Sequence, residues 1–340
     1  MKKNVYIGLD DGYAETKVVL SSGVCFRIPS QAKAGEMSQI AINGSGHTVF
    51  PYKTQDGNYI IGDITETDST AFDDYPMSAL NRVIVMHALR LAGVEQDAQV
   101  FVCTGLPIKR FYLAGSINKN LIKQKTANLL KNDVVSLDGE GLPKIFKHEV
   151  VSEGIAAWMD VVLYRDESGK IVVNKEQAAK RMAIIDIGGR TTDIAVIQNG
   201  NLDINRSSTI NVGMLAVQEM VKEAIIAKFE LSPSIEHLNT ALTEKRIKLW
   251  GKWEPVADLV IAAQKTILAR IESECKRCIG NGADLDQVVF VGGTVVEVEA
   301  LLNGWFKNQY IGFEPGYANA RGMQKYAEMI MNAETKTATK

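Results

Sequence analysis

Two short segments hold the residues best suited to chemistry. Asp10-Asp11-Gly12-Tyr13-Ala14-Glu15-Thr16-Lys17-Val18 aligns without a gap on Asp186-Ile187-Gly188-Gly189-Arg190-Thr191-Thr192-Asp193-Ile194, so Asp10 falls on Asp186, Gly12 on Gly188 and Thr16 on Thr192. Each copy reads as an apolar strand, an acid, a glycine-bearing turn and a second strand, which is a hairpin pattern. Glycine lets backbone N–H groups approach phosphate oxygens closely, and Thr191 and Thr192 can add hydroxyl donors. An Asp at the strand end repels phosphate but can hold a magnesium ion through water, and the ion neutralises the phosphates. One such turn is common. Two in register, each opening one half of the 340-residue chain, point to two like-folded domains that present hairpins to a shared nucleotide triphosphate cleft.

Two further segments fit that cleft. Val288-Val289-Phe290-Val291-Gly292-Gly293-Thr294 reads as a buried strand followed by a diglycine turn and a helix start, where an adenine or ribose could lie against the backbone. In Val150-Val151-Ser152-Glu153-Gly154-Ile155, Glu153 lies between a strand and a helix. A carboxylate there can accept a hydrogen bond from the water that attacks the terminal phosphate. Taken alone, Glu153 is more simply a first-turn acid that favours the helix dipole.

The surrounding pattern supplies the elements that position these groups. Helices are expected at 78–91, 116–130, 154–163, 212–229 and 255–279, and strands at 5–10, 16–20, 100–103, 148–151, 182–187, 193–197 and 288–291. Residues 25–65 hold short β-prone pieces with turns at Asn43-Gly44 and Asp56-Gly57. Alternating strands and helices indicate an α/β architecture. The expected division is a first domain from 1–165 with 315–340, a second from 180–314, a polar boundary at 165–180 and a frayed tail from Glu334.

Composition narrows the function classes. The net charge of -2 argues against broad DNA binding, which needs surplus cations, so any DNA contact should run through a partner. Four cysteines are too few for a disulfide scaffold. Cys275-Lys276-Arg277-Cys278 has no second pair to complete a zinc site. His47, His87, His148 and His237 are scattered without metal or triad spacing. No P-loop and no G-x-G-x-x-G occurs. The start, Met1-Lys2-Lys3-Asn4, leads into a short strand and not a long apolar run, and no stretch reaches membrane-spanning length, which favours the cytoplasm. Lys119, Lys123, Lys125 and Lys131 form a basic stripe on the 116–130 helix, read as a solvated face or a filament contact.

With these residues in view, the chain resembles the actin-like ATPase superfamily and, within it, the plasmid-segregation (ParM, or StbA) family. Leu9-Asp10-Asp11-Gly12 resembles the first phosphate motif and Ser152-Glu153-Gly154-Ile155-Ala156-Ala157 the first connecting motif. Ile185-Asp186-Ile187-Gly188-Gly189-Arg190-Thr191-Thr192-Asp193 resembles the second phosphate motif, Val291-Gly292-Gly293 the adenosine motif and Asn319-Ala320-Arg321-Gly322-Met323 the second connecting motif. Val102-Cys103-Thr104-Gly105-Leu106-Pro107 is similar to a segment particular to the plasmid-segregation branch.

The resemblance implies an actin-like, ribonuclease H-like duplicated fold. It implies a filament-forming ATPase that binds ATP or GTP with Mg2+ and moves plasmid copies through a ParR-like adaptor on centromere-like DNA. By carry-over, Asp10 or Asp11 and Asp186 handle magnesium and the attacking water, and Glu153 activates that water. Gly12, Gly188, Gly189, Thr191, Gly292 and Gly293 contact the nucleotide, and Asp11, Tyr13, Lys17, Arg190 and Thr294 complete the set expected to face it. Tyr13, Arg190 and Thr294 depart from the family pattern, where relatives carry a hydroxyl residue, a small residue and a third glycine. The alternative of another class is a small-molecule kinase on the same fold, which would need a further placed acid as base. A chaperone-like or membrane-tethered scaffold is a third.

Overall fold

The computed structural model describes residues 4–35, 49–62, 64 and 67–338. The Asn43-Gly44 turn and His47 lie outside them. Two mixed sheets dominate. The first runs in the order Ile145–Ser152, Gln99–Leu106, Asn4–Asp11, Glu15–Leu20, Cys25–Pro29. The second runs Gln309–Ile311, Gln287–Val291, Met182–Ile187, Thr192–Gln198, Asn201–Leu202. The orders correspond strand for strand. Each sheet has a central hairpin, Asn4–Asp11 with Glu15–Leu20 or Met182–Ile187 with Thr192–Gln198, flanked by two parallel strands on one side. The central strands are apolar on successive residues because both faces are covered. Ile7 and Leu9 are fully buried, as are Ile184, Ile185 and Ile187.

Hairpin register matches the internal repeat. Asp10 pairs with Lys17 in the first and Asp186 with Asp193 in the second. The chain is therefore a duplicated α/β fold of actin-like design. Residues Val49–Thr54, Gly57–Gly62, Lys33–Ala34 and Val135–Ser136 add a small four-stranded sheet to the first half, joined to its core through Tyr52 and Ile61.

Two helices stitch the halves together. Ile155–Val162 follows the last strand of the first sheet, yet its Ala157 packs with Ile184, Ala195, Val289 and Val291 of the second. Ala318–Ala338 follows the last strand of the second sheet and puts Met323 and Ala327 against Phe101, Cys103 and Val151 of the first. Their crossing is tight: a Cβ added at Gly322 would lie 1.7 Å from the Ala156 carbonyl oxygen. The second helix also presses on the strand Asn4–Asp11, where a Cβ at Gly8 would lie 1.8 Å from the Ala320 oxygen. Any side chain at either position forces backbone apart.

Several expected boundaries shift for local reasons. The 116–130 helix begins at Lys119, capped by Asn118 accepting from the Leu121 N–H at 3.2 Å, because Ser116–Ile117 pairs with Tyr112–Leu113. The 255–279 helix begins at Ala257, since Pro255 closes a hairpin opposite Arg246. The 212–229 helix begins at Leu215, after Met214 and Leu215 donate N–H groups to the Gly188 and Gly189 carbonyls. The 165–180 stretch is ordered as the pair Leu163–Arg165 and Ile171–Val173 and the short helix Lys175–Ala179. The backbone expected to fray from Glu334 stays helical to Ala338.

Candidate active site

The two hairpin turns meet across a cavity of about 220 Å³ between the halves. Asp10, Asp11, Gly12, Tyr13, Lys17, Glu153, Asp186, Gly188, Gly189, Arg190, Thr191, Gly293 and Thr294 all line it, so nearly every residue singled out by sequence converges there. Gly292 does not line it. Its φ of +119° and the Ile187 carbonyl oxygen, 2.2 Å from where a Cβ would stand, make it a packing glycine under the turn. Thr192 also points away: it is fully buried and its hydroxyl donates to the Val212 carbonyl at 2.8 Å. That leaves Thr191 as the cleft-lining hydroxyl of the pair.

In the first turn, Lys17 Nζ donates to Asp10 at 3.3 Å. Burial pulls the Lys17 ammonium down, but the carboxylates of Asp10, Asp186 and Glu15 outweigh it and hold the group above its usual range. Asp11 is held from both sides, accepting from Lys125 Nζ at 2.8 Å and Asn81 Nδ2 at 2.8 Å. Burial raises its carboxyl, and Lys125 opposes that rise. Lys125 also donates to the Gly105 carbonyl at 2.6 Å and is only 1% exposed. The basic stripe thus does not form one solvated face: Lys125 turns inward. Leu121, Ile122, Lys125, Asn128 and Leu129 share a helix face by their three- and four-residue spacing, and that is the signal that could have placed it.

The second turn is built differently. Asp186 accepts from Asn319 Nδ2 at 2.6 Å, and Asn319 Oδ1 accepts from the Gly154 N–H at 3.2 Å. One amide therefore ties the strand of the second half to the loop bearing Glu153. Asp186 is pushed up to about 6 by burial and then by the Asp10 charge. Asp193 accepts from the Ile108 N–H at 2.7 Å and the Thr209 hydroxyl at 2.5 Å, which joins the halves a second time. Glu153 sits where the strand Ile145–Ser152 ends, its N–H bonded to the Leu106 carbonyl at 2.8 Å. Burial pushes its carboxyl well up, followed by the charges of Asp193, Asp10 and Asp186. Asp193 is raised in turn, mainly by burial, and the two titrate as a pair.

The cleft therefore gathers Asp10, Glu153 and Asp186 around Lys17, with Asp193 buried behind it. Glycine-rich backbone turns from two sides supply donors for an anion. Among the described residues no three His, Cys, Asp or Glu side chains converge as direct metal ligands. Oxygen donors from Asp10 and Asp186 on opposite walls suit a hydrated magnesium ion. The buried Thr294 hydroxyl on the cleft lining has no protein partner, which suits a polar ligand. The CxxC thiols of Cys275 and Cys278 are buried in the core of the second half, away from this chemistry. Sequence reading missed Lys125, Asn81 and Asn319 as members of the site, and it gave Asp193 no role.

No curated protein matches the chain. Among solved structures, an archaeal actin homologue in complex with ADP superposes with a TM-score of 0.73 at 17% identity over 95% of this chain and 98% of its own. A 15-stranded ParM filament from Clostridium botulinum superposes at 0.74 with 19% identity, over 96% and 99%. Bacillus thuringiensis ParM with ATP superposes at 0.65 with 16% identity, over 98% and 100%. Such identities speak for the fold. A family model for actin like proteins, N-terminal domain, matches residues 8–138, and one for the archaeal actin homologue MreB-like, C-terminal, matches residues 184–304. With both halves of the cleft claimed by models of one lineage, the chain belongs to the actin-like superfamily.

Proposed function

We propose that this chain is a filament-forming ATPase that segregates plasmid DNA in the cytoplasm through a ParR-like adaptor bound to a centromere-like site. DNA is reached only through that adaptor. The observation that carries the reading is the convergence of Asp10 and Asp186 from opposite halves onto one cleft, with Glu153 facing both. The working division is 1–165 with 315–340 as one domain, 180–314 as the other and 165–180 as the boundary. The filament and ATP named for the similar ParM structures support self-association and ATP as ligand, with GTP as the other candidate. Among the described residues no helix is long and apolar enough to cross a membrane.

The residues assign themselves roles by chemistry. Backbone N–H groups around Gly12, Gly188 and Gly189 hold phosphate oxygens, and Lys17 adds a cation from the floor. Asp10 and Asp186 would hold Mg2+ through water, with Asp11 kept for structure by Lys125. The ion, when bound, neutralises phosphate charge and the acids around it. Glu153 accepts a hydrogen bond from the attacking water. A carboxyl raised toward the working pH is well matched to that task. Copies would join head to tail, through contacts whose rotation does not close a ring, so that assembly runs to filaments.

The test is light scattering and pelleting over a range of protein concentrations with ATP and with GTP. A sharp critical concentration in nucleotide is the expected result. Absence of polymer with both nucleotides at every concentration defeats the filament reading.

A further inference from the structure

The two departures from the family pattern in the turns, Tyr13 and Arg190, touch one another across the cleft. The Arg190 guanidinium lies over the Tyr13 ring, 5.0 Å from its centroid, and its Nη2 donates to Asp73 at 2.7 Å. Tyr13 is held in turn by Tyr75, at a centroid distance of 5.6 Å, and by Arg110, whose Nη1 lies 3.3 Å from the phenol oxygen. Arg110 also donates to the Asp73 carbonyl. Beneath this bridge the two turns are in contact, since a Cβ at Gly189 would stand 2.8 Å from the Ala14 Cβ. The bridge thus spans the cleft directly above the backbone groups that would grip phosphate. The cavity of about 220 Å³ is below the roughly 300–1,000 Å³ typical of small-molecule sites, and the contact of the two turns narrows it.

The cations lining the cleft are not equally committed. Lys125 and Lys17 are buried against Asp11 and Asp10. The one carboxylate paired with Arg190 among the described residues is Asp73, which is 82% exposed. An exposed ion pair is weak and easily exchanged. A phosphate offers the guanidinium fork two parallel charge-assisted bonds, and the Tyr13 ring already orients that fork.

We propose that Arg190 is the specificity-determining residue that reads the terminal phosphate: it leaves Asp73 for that phosphate, so a nucleoside triphosphate opens the Tyr13–Arg190 bridge and a diphosphate does not. This deepens the nucleotide-cleft reading and rests on it. The probes are Mg-ATP and Mg-ADP, with Mg-GTP and Mg-GDP as the second pair, titrated calorimetrically into the full chain and into Arg190→Ala, Arg190→Lys and Asp73→Asn. The triphosphate-to-diphosphate affinity ratio should fall about tenfold or more in Arg190→Ala, the size expected for losing a charge-assisted contact. It should fall less in Arg190→Lys, which keeps the charge without the fork, and rise in Asp73→Asn, which frees the arginine. An unchanged ratio in Arg190→Ala, with nucleotide still bound, overturns the role of Arg190 and leaves the nucleotide reading standing. Failure of the parent chain to bind either pair defeats both. Should Arg190→Ala fail to fold, Asp73→Asn decides: no rise in the ratio overturns the proposal.

Discussion

In the first hairpin both strand-end acids have a cation, Asp10 beside Lys17 and Asp11 beside Lys125. In the second, Asp186 and Asp193 are held by an amide, a hydroxyl and a backbone N–H, and neither forms an ion pair among the described residues. The backbone is duplicated and the electrostatics are not. Lys17 and Asp193 occupy equivalent places opposite the first acid of each hairpin, so the charge there is reversed between the two copies, and Asp11 has Ile187 as its counterpart. The two jaws share a backbone plan, and one side meets its acids with lysines while the other meets them with neutral donors.

The comparison can be broken or sharpened in four ways. The largest effect is expected where both halves act on one group. Glu153→Ala should slow phosphate release by roughly 10²–10⁴-fold, the range for losing a general base, and leave long-lived polymer. A parental release rate in that variant would remove Glu153 from the chemistry. Next is the compensated side. Lys125→Met leaves Asp11 buried and unpaired, at a cost of about 3–5 kcal/mol, read as a fall in denaturation midpoint. The double variant with Asp11→Asn should recover most of it, and a double variant as unstable as the single one argues against the pairing.

Third, Asn319→Ala cuts the link between Asp186 and the Gly154 N–H, and should cost about 1–3 kcal/mol. It should also push the Asp186 carboxyl further up, because the amide bond, ahead of the Lys17 charge, opposes its rise. A carbon-detected NMR titration in which Asp186 does not move would sever that argument.

The smallest effect is a pH profile. The folded chain holds protons on Asp186 and on the Glu153–Asp193 pair that the unfolded chain releases near pH 4. Their stabilisation is full at low pH and is lost as pH rises through about 6 and beyond. His87 and His148, pushed down to about 4 and about 3 by burial, act in the opposite sense: stability is lost as pH falls below about 6.5. Between about pH 4 and 6.5 the two sets oppose one another; above about 6.5 only the carboxyls still act, so the Tm of the nucleotide-free protein should fall as pH rises through about 7. Asp193→Asn keeps an acceptor oxygen for Ile108 and Thr209 and should flatten the alkaline side by about 2–4 °C. An unchanged alkaline slope would show that Asp193 is already ionised in the fold.

The sequence made the hairpins legible because an acid, a glycine and a strand recur at one spacing, and that local pattern fixes both the backbone and the register. Glu153 was legible once the cleft was inferred, since a strand-to-helix junction in an α/β sheet opens toward it. The partners were not. Lys125 lies 114 residues from Asp11, and Asn319 lies 133 from Asp186. The helix spacing puts Lys125 on the apolar face of its helix, but nothing local says that Asp11 is the carboxylate it meets there. Tyr13 and Arg190 stood out as departures, but their mutual contact needed the two turns to be seen in space.

The crossing of the two stitching helices has a mechanical consequence. At Gly8 and Gly322 backbone lies directly on backbone, with no side-chain padding to shear or compress. Contacts of that kind resist sliding of one half past the other and leave rotation about them as the softer motion, as a rivet does for the arms of pliers. A ligand that parts the turns by a small distance must then displace the far edges of both halves by a larger one, in proportion to their distance from the rivet. On the proposed reading of a filament-forming protein, such leverage would carry pocket occupancy to the outer surfaces that meet a neighbouring copy.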